Sequence, residues 1–186
     1  LVQIVSGTGH QLLLNSDGNV MFDSSTITTL DVADASGGVT LRGDTDISGT
    51  FDNTGTLEIR GDTDVVADAT TTFASDVTNT GTFFITADDS TATNTLVLTS
   101  GSFTNASGGL LSLTAVGGAK VIDTDFVNEG LFRNLENLAS FVTADGVYTN
   151  SGTFDIDSDL TVANLATFTN TGTLDTASGA TLELIG

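Results

Sequence analysis

A short pattern that recurs eight times is the feature that most constrains how this chain of 186 residues can fold. Each copy reads apolar, any residue, Asn or Asp, one or two residues, Gly, any residue, apolar. The Asn or Asp positions follow one another at intervals of 19, 19, 26, 26, 23, 22 and 20 residues. They are Asn15, Asp34, Asn53, Asn79, Asn105, Asn128, Asn150 and Asn170. A repeat of this period predicts a solenoid, in which each unit stacks only on its neighbours.

The segments on either side of each corner have the character of short strands. Sequences that follow the Gly, such as Leu57-Glu58-Ile59, alternate apolar and polar residues, as expected of strands with one buried face. Asn and Gly between two strands favour a tight corner, because both residues tolerate a left-handed backbone. When such corners stack, each Asn amide can bond the Asn above and below it, which satisfies buried polar groups. The predicted corner residues are Asn15, Asn53, Asn79, Asn105, Asn128, Asn150 and Asn170, with Gly55, Gly81, Gly130, Gly152 and Gly172.

Apolar residues flank every corner and predict two continuous columns in the core. The first column contains Leu13, Val32, Phe51, Val77, Phe103, Phe126, Tyr148 and Phe168. The second contains Val20, Val39, Leu57, Phe83, Leu110, Phe132, Phe154 and Leu174. We therefore predict an all-β protein in which residues 1–186 form a single parallel β-solenoid of eight or nine coils, spaced about 4.8 Å apart. The alternative is a β-sandwich, which also has short strands at regular intervals.

Departures from the regular interval predict local irregularities. The longer intervals after Asn53 and Asn79 predict inserted loops at Asp62–Thr72 and Asp88–Thr95. The apolar residues of Leu131–Phe141 have helical spacing, so this stretch is a candidate helical insertion that breaks one coil.

The charge of the chain narrows the range of its partners. The 24 acidic residues and four Lys or Arg give a formal net charge of −20, which excludes a basic patch for nucleic acid or an anionic membrane. No apolar stretch approaches the roughly 18 residues of a membrane-spanning helix. The chain has no Cys, and therefore no disulfide and no Cys-based metal site. Cations, neutral glycans and basic proteins remain candidate partners.

The clearest copies of the pattern resemble the repeats of bacterial surface β-solenoids. These copies are Phe51-Asp52-Asn53-Thr54-Gly55-Thr56-Leu57, Val77-Thr78-Asn79-Thr80-Gly81-Thr82-Phe83 and Phe168-Thr169-Asn170-Thr171-Gly172-Thr173-Leu174. The families concerned are autotransporter passenger domains, filamentous-haemagglutinin-like adhesins and related secreted β-strand-repeat proteins, some of which form matrix fibres. The resemblance implies a right-handed parallel β-helix, export, and a cell-surface or extracellular role. It carries no catalytic residue onto this chain.

Alternating acids are the candidate metal ligands. Residues i and i+2 of a strand share a face, so stacked coils can bring carboxylate oxygens together around Ca²⁺. The candidates are Asp44, Asp46, Asp62, Asp64, Asp155, Asp157 and Asp159, and we expect no other cofactor. The competing explanation is that these acids lie on solvated outer faces.

Two tripeptides, Arg42–Asp44 and Arg60–Asp62, each spell Arg-Gly-Asp, a sequence that integrins recognise in other proteins. Their interval of 18 residues matches one coil, so the two turns are predicted to stack. The competing explanation is an ordinary Gly-Asp turn in which each Arg offsets nearby carboxylates.

Two further functions have weak support in the sequence. A polysaccharide-degrading enzyme would combine acids with basic residues, yet Lys120 lies among small residues and His10 precedes the first clear coil. An ice-binding protein would present Thr-x-Thr pairs on a flat strand, yet pairs such as Thr54 and Thr56 straddle the corner. We therefore expect no enzymatic activity.

The two ends of the chain read as strands and lead to the main hypothesis about function. The residues predicted to pair between subunits are Leu1, Val2, Ile4, Val5, Leu182, Leu184 and Ile185. Head-to-tail pairing that does not close on itself produces an open filament. We expect a secreted structural protein whose partner is itself. The alternative is a length of adhesin stalk that presents a glycan-binding or host-protein-binding site on its side loops.

Overall fold

The computed structural model describes residues 2–5, 10–14, 20–32, 38–49, 51–61, 68–87, 91–114, 118–135 and 138–186. Over these residues the chain contains strands, turns and bends, and no helix. The strands form two sheets in which neighbouring coils pair in parallel. The prediction of an all-β parallel solenoid is confirmed.

The first sheet has nine strands within the described residues, and they pair in chain order, each with the strand of the next coil. They are β1 (Val2–Val5), β3 (Val20–Asp23), β5 (Gly38–Arg42), β8 (Thr56–Gly61), β11 (Thr82–Ala87), β13 (Leu110–Leu113), β15 (Leu131–Asn134), β18 (Thr153–Ile156) and β21 (Thr173–Thr176).

The second sheet holds the other thirteen described strands and takes one or two of them from each coil. They are β2 (His10–Leu14), β4 (Thr26–Val32), β6 (Thr45–Ile47), β7 (Phe51–Asn53), β9 (Ala69–Phe73), β10 (Val77–Asn79), β12 (Asn94–Asn105), β14 (Lys120–Asn128), β16 (Ala139–Phe141), β17 (Gly146–Asn150), β19 (Leu160–Val162), β20 (Leu165–Asn170) and β22 (Leu182–Leu184). One coil therefore runs from the first sheet through two segments of the second and turns at the asparagine corner into the next coil, as β8, β9 and β10 do.

Apolar side chains from both sheets fill the interior between the coils. The strands of the first sheet place Val20, Val39, Leu57, Phe83, Leu111, Phe132, Phe154 and Leu174 in one column. The second sheet aligns Phe51, Val77, Phe103, Phe126, Tyr148 and Phe168 in another. Aromatic rings touch within and between the columns, with 4.4 Å between the ring centroids of Phe132 and Phe154. Such ring pairs add to the free energy gained by burying apolar area.

One position of the predicted second column was wrong by one residue. Leu111 rather than Leu110 pairs with Phe83, because the corner after Asn105 holds one more residue than the pattern assumed. Gly108, with a φ of 89°, absorbs the extra residue, and Gly109 takes the corner position that Gly81 occupies in the preceding coil. Leu111 is consequently buried.

The first coils also depart from the predicted alignment. Val32 is paired with Asn53 rather than with Phe51, and Leu13 is paired with Asp31. Val32 and Leu13 therefore do not continue the column of Phe51. The predicted corner residues Asn15 and Asp34 lie outside the described residues.

Two predictions about irregular segments were wrong, for the same physical reason. Within Leu131–Phe141, the described residues form β15 and β16 rather than a helix, because pairing with the coils on either side overrides the helical spacing. Residues 136–137 lie outside the described part of the chain. The supposed loops at Asp62–Thr72 and Asp88–Thr95 contain most of β9 and the start of β12, which supply the middle segments of their coils. Residues 62–67 and 88–90 of those stretches lie outside the described part of the chain.

Candidate functional site: the asparagine ladder and the end coil

Five side-chain hydrogen bonds join the corner asparagines into a ladder along the stack. In each bond the Nδ2 of one asparagine donates to the Oδ1 of the asparagine in the next coil, at 2.7 or 2.8 Å. The ladder runs through Asn53, Asn79, Asn105, Asn128, Asn150 and Asn170. The Nδ2 of each of the first five asparagines donates a second bond, of 2.9 or 3.0 Å, to the backbone carbonyl of Thr82, Leu110, Leu131, Thr153 or Thr173. The first five asparagines are buried, so the ladder pairs polar groups that water does not reach.

The corner glycines are required by close packing between coils rather than by a left-handed backbone. A Cβ atom on Gly81 would overlap the carbonyl oxygen of Gly55 in the preceding coil. Gly130, Gly152 and Gly172 have the same relation to the corners that precede them. None of the five predicted corner glycines has a positive φ. The prediction that a left-handed backbone requires glycine at these corners was therefore wrong.

The ladder has a direction, and its two ends differ. Every amide donates toward the C-terminal coils, which leaves Asn53 Oδ1 and Asn170 Nδ2 as its end groups. Asn53 Oδ1 is buried without a hydrogen-bond partner, because Val32 occupies the paired position in the preceding coil. Asn170 is exposed, and its Nδ2 donates a long bond of 3.4 Å to the carbonyl of Gly172. A further coil stacked on Asn170 would therefore meet an amide donor.

Five aspartates outside the ladder also bridge neighbouring coils, a role that the sequence patterns did not predict. In each case Oδ1 accepts a hydrogen bond from a backbone N–H of the next coil, at 2.7 to 3.2 Å. The pairs are Asp44 with Thr70, Asp68 with Thr93, Asp76 with Ser102, Asp125 with Val147, and Asp159 with Thr181. The sequence signal that could have revealed these bonds is an Asp beside the start of a strand segment. The backbone N–H that donates to this Asp lies one coil later in the chain. Part of the acidic composition thus serves the contacts between coils.

The predicted calcium ligands are dispersed or engaged in other contacts. Asp44 and Asp159 accept the backbone bonds just described, and Asp46 lies exposed on β6. Asp155 forms an ion pair with Arg133, with 2.7 Å between the carboxylate oxygen and the guanidinium nitrogen. This contact raises the pKa of the guanidinium, mainly through the side-chain hydrogen bond and to a smaller extent through the opposite charge. Asp157 lies 4.0 Å from the same Arg133. Among the described residues no three His, Cys, Asp or Glu side chains are placed to hold a metal ion. Asp62 and Asp64 lie outside those residues.

The two Arg-Gly-Asp tripeptides stack at their arginines, since Arg42 is paired with Arg60 on neighbouring strands. The Arg42 guanidinium forms two hydrogen bonds with the buried carboxylate of Asp23, at 2.5 and 3.1 Å. Arg42 therefore offsets a carboxylate within the fold, in agreement with the explanation that competes with integrin recognition. Gly43 turns the chain there with a φ of 66°.

Of the two residues considered for catalysis, Lys120 has a contact within the fold and His10 lies on a strand. Lys120 is fully buried and donates from Nζ to the carbonyl of Gly118 at 3.0 Å, so it cannot clamp a substrate outside the fold. We expected His10 to precede the first clear coil. Instead it lies on β2 and is paired with Ile27.

The last strands of the stack, β20, β21 and β22, expose side chains whose counterparts in the preceding coils are buried where the structure describes them. Leu174 continues the column of Phe154 yet is 42% exposed, and Leu184 continues the column of Val162 yet is 46% exposed. Ile185 beside them is 45% exposed. These residues and Asn170 form one surface, which we call the end face. It presents apolar side chains together with the unpaired edges of parallel strands.

In comparisons with known proteins, no protein-family model, curated protein or solved structure matches the chain. Among the described residues there is no helix of the length and apolarity needed to cross a membrane.

Proposed function

We propose that this chain is a non-enzymatic structural protein that stacks end to end with copies of itself into a filament. The observation that carries the proposal is the end face, where core side chains of β21 and β22 are two-fifths exposed or more. Exposed apolar patches rimmed by polar residues commonly mark association sites. Unpaired edges of parallel strands add backbone donors and acceptors that another strand can use.

In the proposed junction, strand β1 of a second copy pairs with strand β21 of the end face. Within the chain Val2 pairs with Val20, at the start of the same column that Leu174 continues. If β1 of a second copy lay beside β21 in the register used inside the solenoid, Val2 would stand over Leu174 and Ile4 over Thr176. The column of Leu174 would then continue through the junction. Because the two surfaces are different, the contact is heterologous and repeats without closing, which produces a filament.

The composition of the outer faces is consistent with a filament that remains dispersed. The formal net charge of −20 makes the sides of neighbouring rods repel each other at low salt. The likeness of the repeats to secreted bacterial β-solenoids supports placing such a filament outside the cell or on its surface. We propose a fibre or matrix role there on the same grounds.

Sedimentation velocity of end-face variants tests the proposal. Leu174→Asp and Leu184→Asp each place a charge in the proposed junction, and we expect both to remain monomeric at concentrations where the natural chain assembles. Leu138→Asp is the matched control, because Leu138 is an apolar residue, 59% exposed, on the side of the rod. Equal assembly of the end-face variants and the natural chain would refute the proposal, as would a natural chain that stays monomeric at high concentration.

A further inference from the structure

Threonines from separate coils form two columns on the outer face of the second sheet. Alternate residues of a strand point to opposite faces, and on β14 the residues between the buried ones, from Val121 to Val127, are partly exposed. The register of the sheet aligns these outward positions with outward positions in the neighbouring coils. The first column contains Thr70, Thr95, Val121, Ser140 and Thr161, and the second contains Thr78, Thr104, Val127, Thr149 and Thr169.

The hydroxyl groups of these columns are available to water. Within the described part of the chain, the hydroxyls of Thr78, Thr104 and Thr149 form no hydrogen bond with the protein, and these side chains are partly exposed. Threonines elsewhere are engaged, as when Thr86 donates to the carboxylate of Glu58 at 2.6 Å. Because a hydroxyl both donates and accepts hydrogen bonds, a regular row of free hydroxyls holds a row of water molecules in fixed positions.

Both columns are uncharged, although the chain as a whole is strongly acidic. The formal net charge is −20, yet no position in either column has a charged residue. Acids flank the columns instead: Asp52 precedes the second column and Glu183 follows the first. Asp123 and Asp125 lie between the columns on β14. A face of this kind suits an uncharged partner that forms hydrogen bonds, and it offers nothing to a partner recognised by its charge.

The spacing of the outward residues is that of a regular two-dimensional array. Within a column they are about 4.8 Å apart, which is the distance between adjacent strands of a sheet. Along a strand, outward neighbours such as Thr167 and Thr169 on β20, or Thr70 and Thr72 on β9, are about 6.6 Å apart. Both pairs lie within one strand, unlike the Thr-x-Thr pairs that straddle the asparagine corner. The two repeats are perpendicular and lie close to the two repeats of oxygen atoms on the prism face of hexagonal ice.

We propose that the outer face of the second sheet binds ice. The hydroxyls of the columns hold water molecules at lattice positions, and the methyl groups of threonine and valine cover the ground between them. Strands paired on both sides keep the array rigid, so little conformational entropy is lost on binding. The face lies along the side of the rod, and its binding to ice therefore does not require end-to-end stacking. The competing explanation is that the threonines serve only as good strand residues.

Thermal hysteresis of the full chain tests the proposal. It is the gap between the melting and freezing temperatures of a single ice crystal in the protein solution. We expect the natural chain to open this gap and Thr104→Tyr to lose most of it, because a bulky ring in the middle of a column holds the ice surface away. Thr149→Tyr makes the same change two coils further along the column and should have the same effect.

Thr153→Tyr is the matched control, because Thr153 is a partly exposed, outward residue of β18 in the first sheet. This variant should keep the full gap, and circular dichroism verifies that each variant is folded like the natural chain. A natural chain that opens no gap would overturn the proposal. So would a gap that persists in folded Thr104→Tyr and Thr149→Tyr, or that is lost equally in Thr153→Tyr.

Discussion

Asn79 donates from Nδ2 to Oδ1 of Asn105 at 2.8 Å, across the boundary between two coils. Both residues are completely buried, and the same bond recurs from Asn53 to Asn170. An asparagine at the corner therefore supplies both the Nδ2 donor and the Oδ1 acceptor that join neighbouring coils along the ladder. The ladder fixes the register of the corners and allows strands of unequal length elsewhere.

Removal of an asparagine side chain from the interior of the ladder should lower the free energy of unfolding substantially. Asn105→Ala deprives Asn79 Nδ2 of one acceptor and leaves Asn128 Oδ1 without its donor, so we expect a loss of about 2–4 kcal/mol in the free energy of unfolding. Asn170→Ala is the matched control at the exposed end and should cost about 1 kcal/mol or less. Urea denaturation followed by circular dichroism measures both. Equal losses in the two variants would contradict the role assigned to the buried ladder.

The corner glycines should tolerate no side chain. Gly81→Ala forces a Cβ into the backbone of Thr54 and Gly55, so we expect it to cost about 3 kcal/mol or more, or to prevent folding. Gly108→Asn provides the comparison, because nothing lies within 4 Å of a Cβ there and Asn tolerates a φ of 89° better than most residues. Thermal denaturation of the two variants should separate them clearly. A mild effect of Gly81→Ala would show that the coils can move apart at the corner.

A buried hydroxyl should be dispensable, and its removal favourable. Thr71 is fully buried on β9, and its Oγ1 has no hydrogen-bond partner. Thr71→Val replaces the hydroxyl with a methyl group of similar size, so we expect the protein to gain about 1 kcal/mol in stability. Thr72→Val, at the neighbouring partly exposed position, should change little. A loss of stability in Thr71→Val would mean that the hydroxyl has a partner in solution.

Tyr148, the only tyrosine of the chain, should make the fold sensitive to alkali. Burial raises the pKa of its phenol above the ordinary value of about 10, an effect that Thr143 offsets only in part. Below pH 10 the phenol is neutral in the folded and unfolded states, and its contribution to stability is fully present. As pH rises beyond that value, the unfolded state ionises first and the contribution is lost.

The near-ultraviolet absorbance of the phenolate measures this titration directly, because the chain has no Trp. We expect the folded protein to titrate at higher pH than the chain unfolded in urea, and Tyr148→Phe to lose less stability at alkaline pH. Titration at the same pH in both states would contradict the assigned burial.

The sequence was sufficient to predict the fold class, the asparagine corners from Asn53 onward and most of the core. Every ladder residue from Asn53 onward could be found because the corner tolerates little variation, so its pattern survives changes in coil length. The first coils could not be aligned by that pattern: Val32 rather than an Asn or Asp is paired with Asn53. Leu111 was missed because an extra glycine shifts the register after Asn105.

Contacts between coils were harder to predict than the corners. The aspartates that accept backbone bonds from the next coil, such as Asp76 and Asp159, lie in turns whose sequences vary. Their partners are backbone amides 22 to 26 residues away. Because almost any residue type can supply a backbone amide, the donor position has no characteristic residue in the sequence. The apolar residues of Leu131–Phe141 have helical spacing, yet pairing with adjacent coils makes residues 131–134 and 139–141 extended.

Electron microscopy of the purified chain in negative stain tests end-to-end stacking most directly. Head-to-tail assembly through the end face predicts unbranched filaments of uniform width, which shorten to single particles in Leu174→Asp and remain in Leu138→Asp. Discrete short rods of the natural chain at high concentration, with no filaments, would contradict it.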